Sequence, residues 1–166
     1  MNREIKFVQI NSGDFSVGGS DTSSSFSNIL PFTIVLDNSK EYEVALFDIQ
    51  YQSLQSGVAP FRNVCVNTNL VESTQSGSKS TNYIYTINWN QIWNKSYPAT
   101  TEPGYNINNT ATYITTFNNR KWYPLATTGI SRISVSLTFE DNGALIPVGL
   151  VGKTFTSCSF GIREII

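Results

Sequence analysis

The stretch WYPLATTGISRISVSLTFEDNGALIPV, from Trp122 to Val148, decides the fold. Apolar residues occupy alternate positions from Ile133 to Phe139, and successive side chains of a strand point to opposite faces of a sheet. The Asn142-Gly143 pair tolerates the positive φ angles of a tight hairpin, and an apolar run from Ala144 to Val148 follows it. The pattern predicts a half-buried β-strand, a chain reversal and a second extended segment.

Working outward, the same alternation recurs along the chain, and almost nothing has a helical period. Long connections are expected at Asn11–Pro31 and Asn90–Thr110, where turn residues are frequent. The pattern predicts one all-β domain over residues 1–166, a sandwich of two antiparallel sheets that is either a jelly roll or immunoglobulin-like. The eight predicted strands are Ile5–Ile10, Phe32–Leu36, Tyr42–Gln52, Arg62–Asn69, Tyr83–Trp89, Ala111–Phe117, Ile130–Phe139 and Thr154–Ile165.

The amino-acid composition favours a protein that makes close contacts with other chains. Hydrophobic residues make up 40% of the 166 residues, and charged residues only 14%, against about a quarter in typical domains. The polar surface must therefore be built from neutral Asn, Ser and Thr, and a surface of low charge favours association.

Several classes of function are excluded by residue type. The chain has no histidine, so a Ser-His-Asp or Cys-His catalytic arrangement is impossible. Cys65 and Cys158 lack metal-ligand spacing, and we expect both to be reduced core residues. Asp14 and Asp21 are too isolated for a calcium cage. We expect no enzyme activity, no cofactor and no metal site.

Charge and hydropathy limit the partners. The net charge is −1, and basic residues are spread singly apart from Arg120-Lys121, so we expect no specific binding of nucleic acid. The N-terminal MNREIKFVQI carries Arg3, Glu4 and Lys6. Because it has no signal-peptide core and no apolar run near 20 residues follows, we expect neither a secretory signal nor a membrane span.

Two stretches carry a resemblance to a known family. Residues Leu36–Tyr51, LDNSKEYEVALFDIQY, resemble a signature of the penton, or minor capsid, proteins of virophages and Polinton-like double-stranded DNA viruses. Trp122-Tyr123-Pro124-Leu125, the alternating strand, Asp141-Asn142-Gly143 and Phe160-Gly161-Ile162 are similar to the C-terminal half of the same family, in the same order.

The resemblance implies a single eight-stranded jelly roll and a structural role in the virion. It implies a homopentamer that plugs the fivefold vertices of an icosahedral capsid, surrounded by a double-jelly-roll major capsid protein and assembled inside the infected host cell. Some relatives carry an additional domain in an outer loop, and no connection here is long enough for one.

Under the jelly-roll interpretation the connections sort into two ends. Connections at 11–31, 53–61, 90–110 and 140–153 would share one end, expected to face outward near the axis. Those at 37–41, 70–82 and 118–129 would share the other end, expected to face the capsid interior. The predicted core residues are Phe32, Ile34, Val44, Leu46, Trp122, Ile133, Val135, Leu137, Phe139, Phe160 and Ile162.

The strand Tyr42–Gln52 supplies a candidate subunit interface. Strict alternation places Phe47, Ile49 and Tyr51 on the face opposite Val44 and Leu46. Since that face is apolar, we expect it to contact the next subunit.

A carbohydrate-binding jelly roll for host attachment is the alternative function, in a monomeric or trimeric protein. Sugar rings stack on exposed aromatic side chains, and one outer connection holds such a set. This candidate aromatic patch consists of Trp89, Trp93, Tyr97 and Tyr105. The same side chains would otherwise fill the end of the sandwich or anchor an interface.

Overall fold

A computed structural model describes residues 4–12, 24–54, 63–76, 79–88, 110–146 and 156–165. These ranges contain eleven β-strands, and the eight predicted segments correspond to eight of them. The strands are β1 (Ile5–Asn11), β2 (Ser25–Val35), β3 (Tyr42–Leu54), β4 (Val64–Thr68), β5 (Thr74–Ser76), β6 (Lys79–Thr81), β7 (Tyr83–Ile87), β8 (Thr110–Thr116), β9 (Tyr123–Pro124), β10 (Gly129–Phe139) and β11 (Ser157–Glu164).

The strands form two antiparallel sheets. The first sheet has the order β1-β11-β3-β8, with β9 pairing on β3, and the second has the order β2-β10-β4-β7. Strands β5 and β6 form a separate hairpin between β4 and β7. Since the chain crosses repeatedly between two four-stranded sheets, the arrangement is a jelly roll, and the prediction of a single eight-stranded sandwich is confirmed.

The core lies between the two sheets, and the alternation read from the sequence produces it. In β10, Ile133, Val135 and Leu137 are buried, while Cys158, Phe160 and Ile162 of β11 are buried from the facing sheet. Because each strand buries every second side chain, one face of each sheet is apolar. Ile34 and Phe139 are partly buried and pack against this core.

The hairpin after β10 forms as its sequence predicts. Gly143 has a φ of 70°, a conformation that glycine adopts without steric cost. Its N–H donates to the carbonyl of Phe139 at 2.8 Å, and the Phe139 N–H donates to the carbonyl of Ala144 at 2.8 Å. The chain then returns along β10 and inserts Ile146 into the core.

Strand β3 contains a bulge that changes which residues face inward. Ser159 lies opposite Asp48 and Phe160 lies opposite Leu46, so Phe47 is an extra residue in β3 with no partner in β11. An extra residue shifts the alternation by one position. Ile49 therefore returns to the core side, where it is 1% exposed.

Strand β2 begins earlier than its sequence suggests. The stretch predicted as part of a long connection, 11–31, contains the first half of β2, from Ser25 onward. Its pairing with β10 is irregular, because Ile34 lies opposite Ile130 and Ile29 lies opposite Arg132. Four residues of β2, 30–33, therefore lie opposite the single residue Ser131 of β10. One of the four is Pro31, which cannot donate a ladder hydrogen bond.

Two predicted core residues lie elsewhere. Phe32 is 73% exposed, since it lies in the irregular part of β2 where the alternation is lost. Trp122 is half-buried and contacts Phe47 on the outer face of the first sheet. The apolar character of both side chains predicted burial, but their positions turn them away from the space between the sheets.

Three connections meet at one of the two predicted ends. At one end, the Leu36 N–H donates to Thr128 O and the Ala126 N–H donates to Leu70 O, both at 2.8 Å, which joins three connections. Most of the four connections predicted for the other end, at 11–31, 53–61, 90–110 and 140–153, lies outside the described residues. Across the described ranges we find no helix long and apolar enough to cross a membrane.

Candidate functional site

The outer face of the first sheet carries an aromatic row made of Phe7, Phe47 and Trp122. The Phe7 and Phe47 rings meet edge to face with centroids 4.9 Å apart, and the Phe47 and Trp122 centroids are 5.9 Å apart. Edge-to-face contacts of this kind stabilise aromatic pairs beyond their area of burial. Phe7, which lies on the edge strand β1, is 62% exposed, so the row reaches the margin of the sheet.

A glycine on the neighbouring strand makes room for the centre of this row. A Cβ built on Gly161 would lie 2.9 Å from each of two atoms of the Phe47 ring, Cδ2 and Cζ. Real carbon atoms do not approach so closely, so the ring occupies the space that a side chain at 161 would need. The bulge in β3 and the glycine in β11 together fix Phe47 across the sheet.

Two arginines cover the aromatic row. The Arg120 guanidinium carbon lies 3.9 Å from the Phe47 ring centroid, and that of Arg163 lies 3.7 Å from the Trp122 ring centroid. The Arg163 Nε donates to Glu43 Oε1 at 2.5 Å, which holds Arg163 in place. Cations over ring faces are attracted by the aromatic quadrupole, so the row is both apolar and cationic.

Arg120 has one atom that its surroundings leave unsatisfied. Its Nε is buried and has no hydrogen-bond partner among the described residues. A buried donor without a partner loses its hydration without compensation. The outer face of the first sheet therefore has an unmet donor beside its central aromatic ring.

The three predicted interface residues have different positions. Phe47 lies in the aromatic row, and its role in a subunit contact stays a prediction. The expectation that Ile49 shares this face is wrong, because the bulge turns Ile49 into the core. Tyr51 belongs to β3, but its side chain lies outside the described residues.

The candidate aromatic patch of Trp89, Trp93, Tyr97 and Tyr105 lies outside the described residues. Within the described ranges, a shallow depression on the second sheet is lined by small polar groups of β2, β4 and β10, with no aromatic side chain among its lining residues. Asn67 donates there to Ser136 O at 3.2 Å and to Thr138 Oγ1 at 3.0 Å. The depression is hydrogen-bonded and has no charged side chain in its lining, unlike the aromatic row of the first sheet.

Both cysteines are free thiols; Cys158 is buried and Cys65 is half-buried. Burial raises the pKa of the Cys158 thiol well above its usual range, and burial also raises the pKa of Cys65. Since a thiolate is the nucleophile and the metal ligand, both groups stay protonated at neutral pH. In the described part of the chain no three His, Cys, Asp or Glu side chains come together as a metal site.

Sequence reasoning missed the exposed residues of the edge strands. Phe7, Ile29, Phe32 and Val35 are exposed large hydrophobic side chains on β1 and β2. The available signal was the uncharged run from Thr22 to Leu36, since edge strands usually carry charge. Gly161 and the two arginines had no signal, because their roles depend on contacts between distant strands.

The strand topology defines a single jelly roll. The aromatic row lies on the outer face of its first sheet. One solved structure of this fold is the crystal structure of SeMet-labeled mavirus penton protein. The match has a TM-score of 0.60 at 8% sequence identity and covers 98% of this chain and 100% of that chain. No protein-family model matches the sequence, and no curated protein matches it.

Proposed function

We propose that this chain is a structural protein of a viral capsid, a penton whose homopentamers plug the fivefold vertices of an icosahedral particle. The observation that carries the proposal is the end-to-end likeness to mavirus penton protein, which leaves almost none of either chain unmatched. The stretches that resemble the penton family fall on β3, β10 and β11, strands that build the two sheets.

The physical character of the chain supports a role in assembly. A cyclic assembly joins one surface of each subunit to a different surface of its neighbour. A charged group buried in such a contact loses hydration that pairing often fails to replace. A chain with 14% charged residues avoids most of that cost, because it presents neutral polar and apolar groups.

The proposed role is non-catalytic and needs no cofactor. The chain lacks histidine, and both of its thiols are held protonated by burial. Its proposed neighbours are further copies of itself and a double-jelly-roll major capsid protein, at the capsid vertices of a virion assembled inside the host cell.

The aromatic row is the candidate contact for assembly. Phe47 is half-buried and its ring is already flanked by Phe7 and Trp122. A partner that covers the row would complete the burial of rings whose edges now face water. Burial of a large aromatic side chain contributes roughly 1.5–3 kcal/mol, enough for a few such residues to dominate a contact.

Native mass spectrometry of the purified protein tests the proposal, over a concentration series and with the major capsid protein added. We expect a five-chain species, alone or with the partner. A persistent monomer or trimer under both conditions would contradict the penton proposal and favour the glycan-binding alternative.

The variant Phe47→Glu tests the candidate contact. We expect a folded monomer, because Arg120 offers a counter-charge in the free chain, together with at least a tenfold loss of the five-chain species. Leu145→Glu, at an exposed position that pairs with Thr138 of the second sheet, is the matched control. Unfolding of Phe47→Glu, or unchanged assembly, would exclude the aromatic row as the contact.

A further inference from the structure

The hairpin after β10 has an asparagine followed by a glycine at its tip. Asn142 and Gly143 are both exposed. Asparagine is a chemically labile residue, and a glycine after it leaves the next backbone nitrogen without a side chain to shield it. The pair combines an electrophilic amide carbon, the Asn142 Cγ, with a nitrogen nucleophile, the Gly143 N. These residue types at this turn favour a spontaneous covalent change.

The change that this pair can undergo is deamidation. The Gly143 nitrogen gives up its proton to solvent and forms a bond to the Asn142 Cγ, and the Cγ–Nδ2 bond breaks as ammonia leaves. The succinimide ring that results then takes up one water molecule. Opening of the ring at one carbonyl gives aspartate, and opening at the other gives isoaspartate, in which the main chain runs through the former side chain. One amide and one water thus become one carboxylate and one ammonium ion.

Hydrogen bonds of the folded turn hold both reacting groups. The Gly143 N–H donates to the carbonyl of Phe139 at 2.8 Å, and the Asn142 Oδ1 accepts from the Ala144 N–H at 3.0 Å. Attack by the Gly143 nitrogen breaks the first bond, because the proton that it loses is the one donated to Phe139. The second bond restrains rotation of the Asn142 carboxamide. The reaction therefore requires the turn to open.

Contacts on both sides of the tip oppose that opening. After the tip, the Ile146 N–H donates to the carbonyl of Leu137 at 3.0 Å, and the Ile146 side chain belongs to the core. Before the tip, Asn63 Nδ2 donates to Glu140 Oε2 at 2.6 Å. A reaction that needs local opening slows in proportion to the fraction of molecules that are open. The packing of Ile146 is therefore expected to control the rate at Asn142.

We propose that Asn142 is a site of spontaneous deamidation and that the fold of its hairpin slows the reaction. The change takes place in the fraction of molecules whose hairpin is open, and water is its co-reactant. Loss of packing at Ile146 accelerates it, because a less stable hairpin opens more often. Since ammonia leaves, the change is not reversed, and each altered chain stays altered.

Both products weaken the hairpin that slows the reaction. Aspartate at position 142 follows Glu140 and Asp141, and like charges so close together repel. Isoaspartate adds a main-chain carbon to the turn between Phe139 and Ala144, whose backbone hydrogen bond measures 2.8 Å. Either product raises the fraction of molecules in which the hairpin is open.

Peptide mapping by mass spectrometry tests the proposal on the purified chain, incubated at mildly alkaline pH and then digested briefly. Trypsin cuts after Arg132 and Lys153, and Asn142 carries the one amide side chain of the peptide between them. We expect aspartate and isoaspartate at 142 to form at least about tenfold more slowly in the folded protein than in the chain unfolded by guanidinium chloride. Equal rates would overturn protection by the fold, and absence of product in the unfolded chain would overturn the site itself.

A matched pair of variants tests the dependence on opening. Ile146→Ala removes buried packing and leaves Asn142 and Gly143 in place, so deamidation of the folded protein should accelerate by at least about tenfold. Leu145→Ala, at a neighbouring side chain that is 49% exposed, should leave the rate unchanged. Equal rates in the two variants would overturn the proposed dependence on opening. If circular dichroism shows Ile146→Ala to be unfolded, Ile146→Val replaces it, with a smaller acceleration expected.

Discussion

At the scale of single residues, the pair Phe47 and Gly161 sets the geometry of the aromatic row. The Phe47 ring lies where a side chain at 161 would project, and closely packed groups transmit such conflicts to their neighbours. Each residue is therefore restrained by the other, across two strands far apart in sequence.

Gly161→Ala should displace the Phe47 ring and lower the free energy of unfolding by roughly 1–3 kcal/mol, the usual cost of overpacking. Urea denaturation measures the change. Gly129→Ala is the matched control, because nothing lies within 4 Å of a Cβ built there. In the background Phe47→Ala the effect of Gly161→Ala should shrink, and an undiminished effect would contradict the proposed coupling.

At the scale of elements, turns and bulges decide what the strands present. Asn142 and Gly143 reverse the chain after β10, where the Asn142 Oδ1 also accepts from the Ala144 N–H at 3.0 Å. The reversal positions Ile146 against the core, so a local turn supports packing between the sheets.

Gly143→Ala should destabilise the protein by about 1 kcal/mol, because a φ of 70° is strained for a residue with a Cβ. Thermal unfolding measures the loss, and Gly129→Ala again serves as control since it has neither the positive φ nor a close neighbour. Equal stability of the two variants would mean that the turn tolerates a side chain.

The same elements show how far a single sequence predicts the fold. Alternation in β10 and the Asn-Gly turn were sufficient to predict that hairpin, because they are local patterns. The bulge at Phe47 has no local signal: nothing in VALFDI indicates where one extra residue enters, and it moves Ile49 from the predicted interface into the core. The first half of β2 was missed because Ser25–Asn28 has a single apolar residue.

The candidate site shows the same difference between local patterns, which the sequence reveals, and contacts between distant strands, which it does not. Phe47 was identified because it lies in a strongly patterned strand. Phe7, Arg120 and Gly161 were missed because they come together only when β1, β3 and β11 pair and the segment before β9 folds over them.

At the scale of the whole molecule, assembly of a chain with 14% charged residues should depend little on ionic strength, because apolar and neutral polar groups make up most of any contact surface. Raising NaCl from about 0.1 M to about 1 M shortens the screening length from about 10 Å to about 3 Å. We expect the fraction of five-chain species in light scattering to fall by less than about twofold. A tenfold fall would indicate that charged groups, rather than apolar and neutral polar groups, hold the subunits together.

The two ends of the sandwich also differ in what could be attached to them. The Ile165 N–H donates to the carbonyl of Glu41 at 2.8 Å, so the last described residue lies beside the turn at 36–41. Strand β3 begins at Tyr42, opposite Glu164, and ends at Leu54, at the opposite end of the first sheet. We expect a fluorescent protein fused after residue 166 and an epitope inserted between residues 54 and 63 to lie at opposite ends of the sandwich. One chain could then carry a cargo at one end and display an epitope at the other.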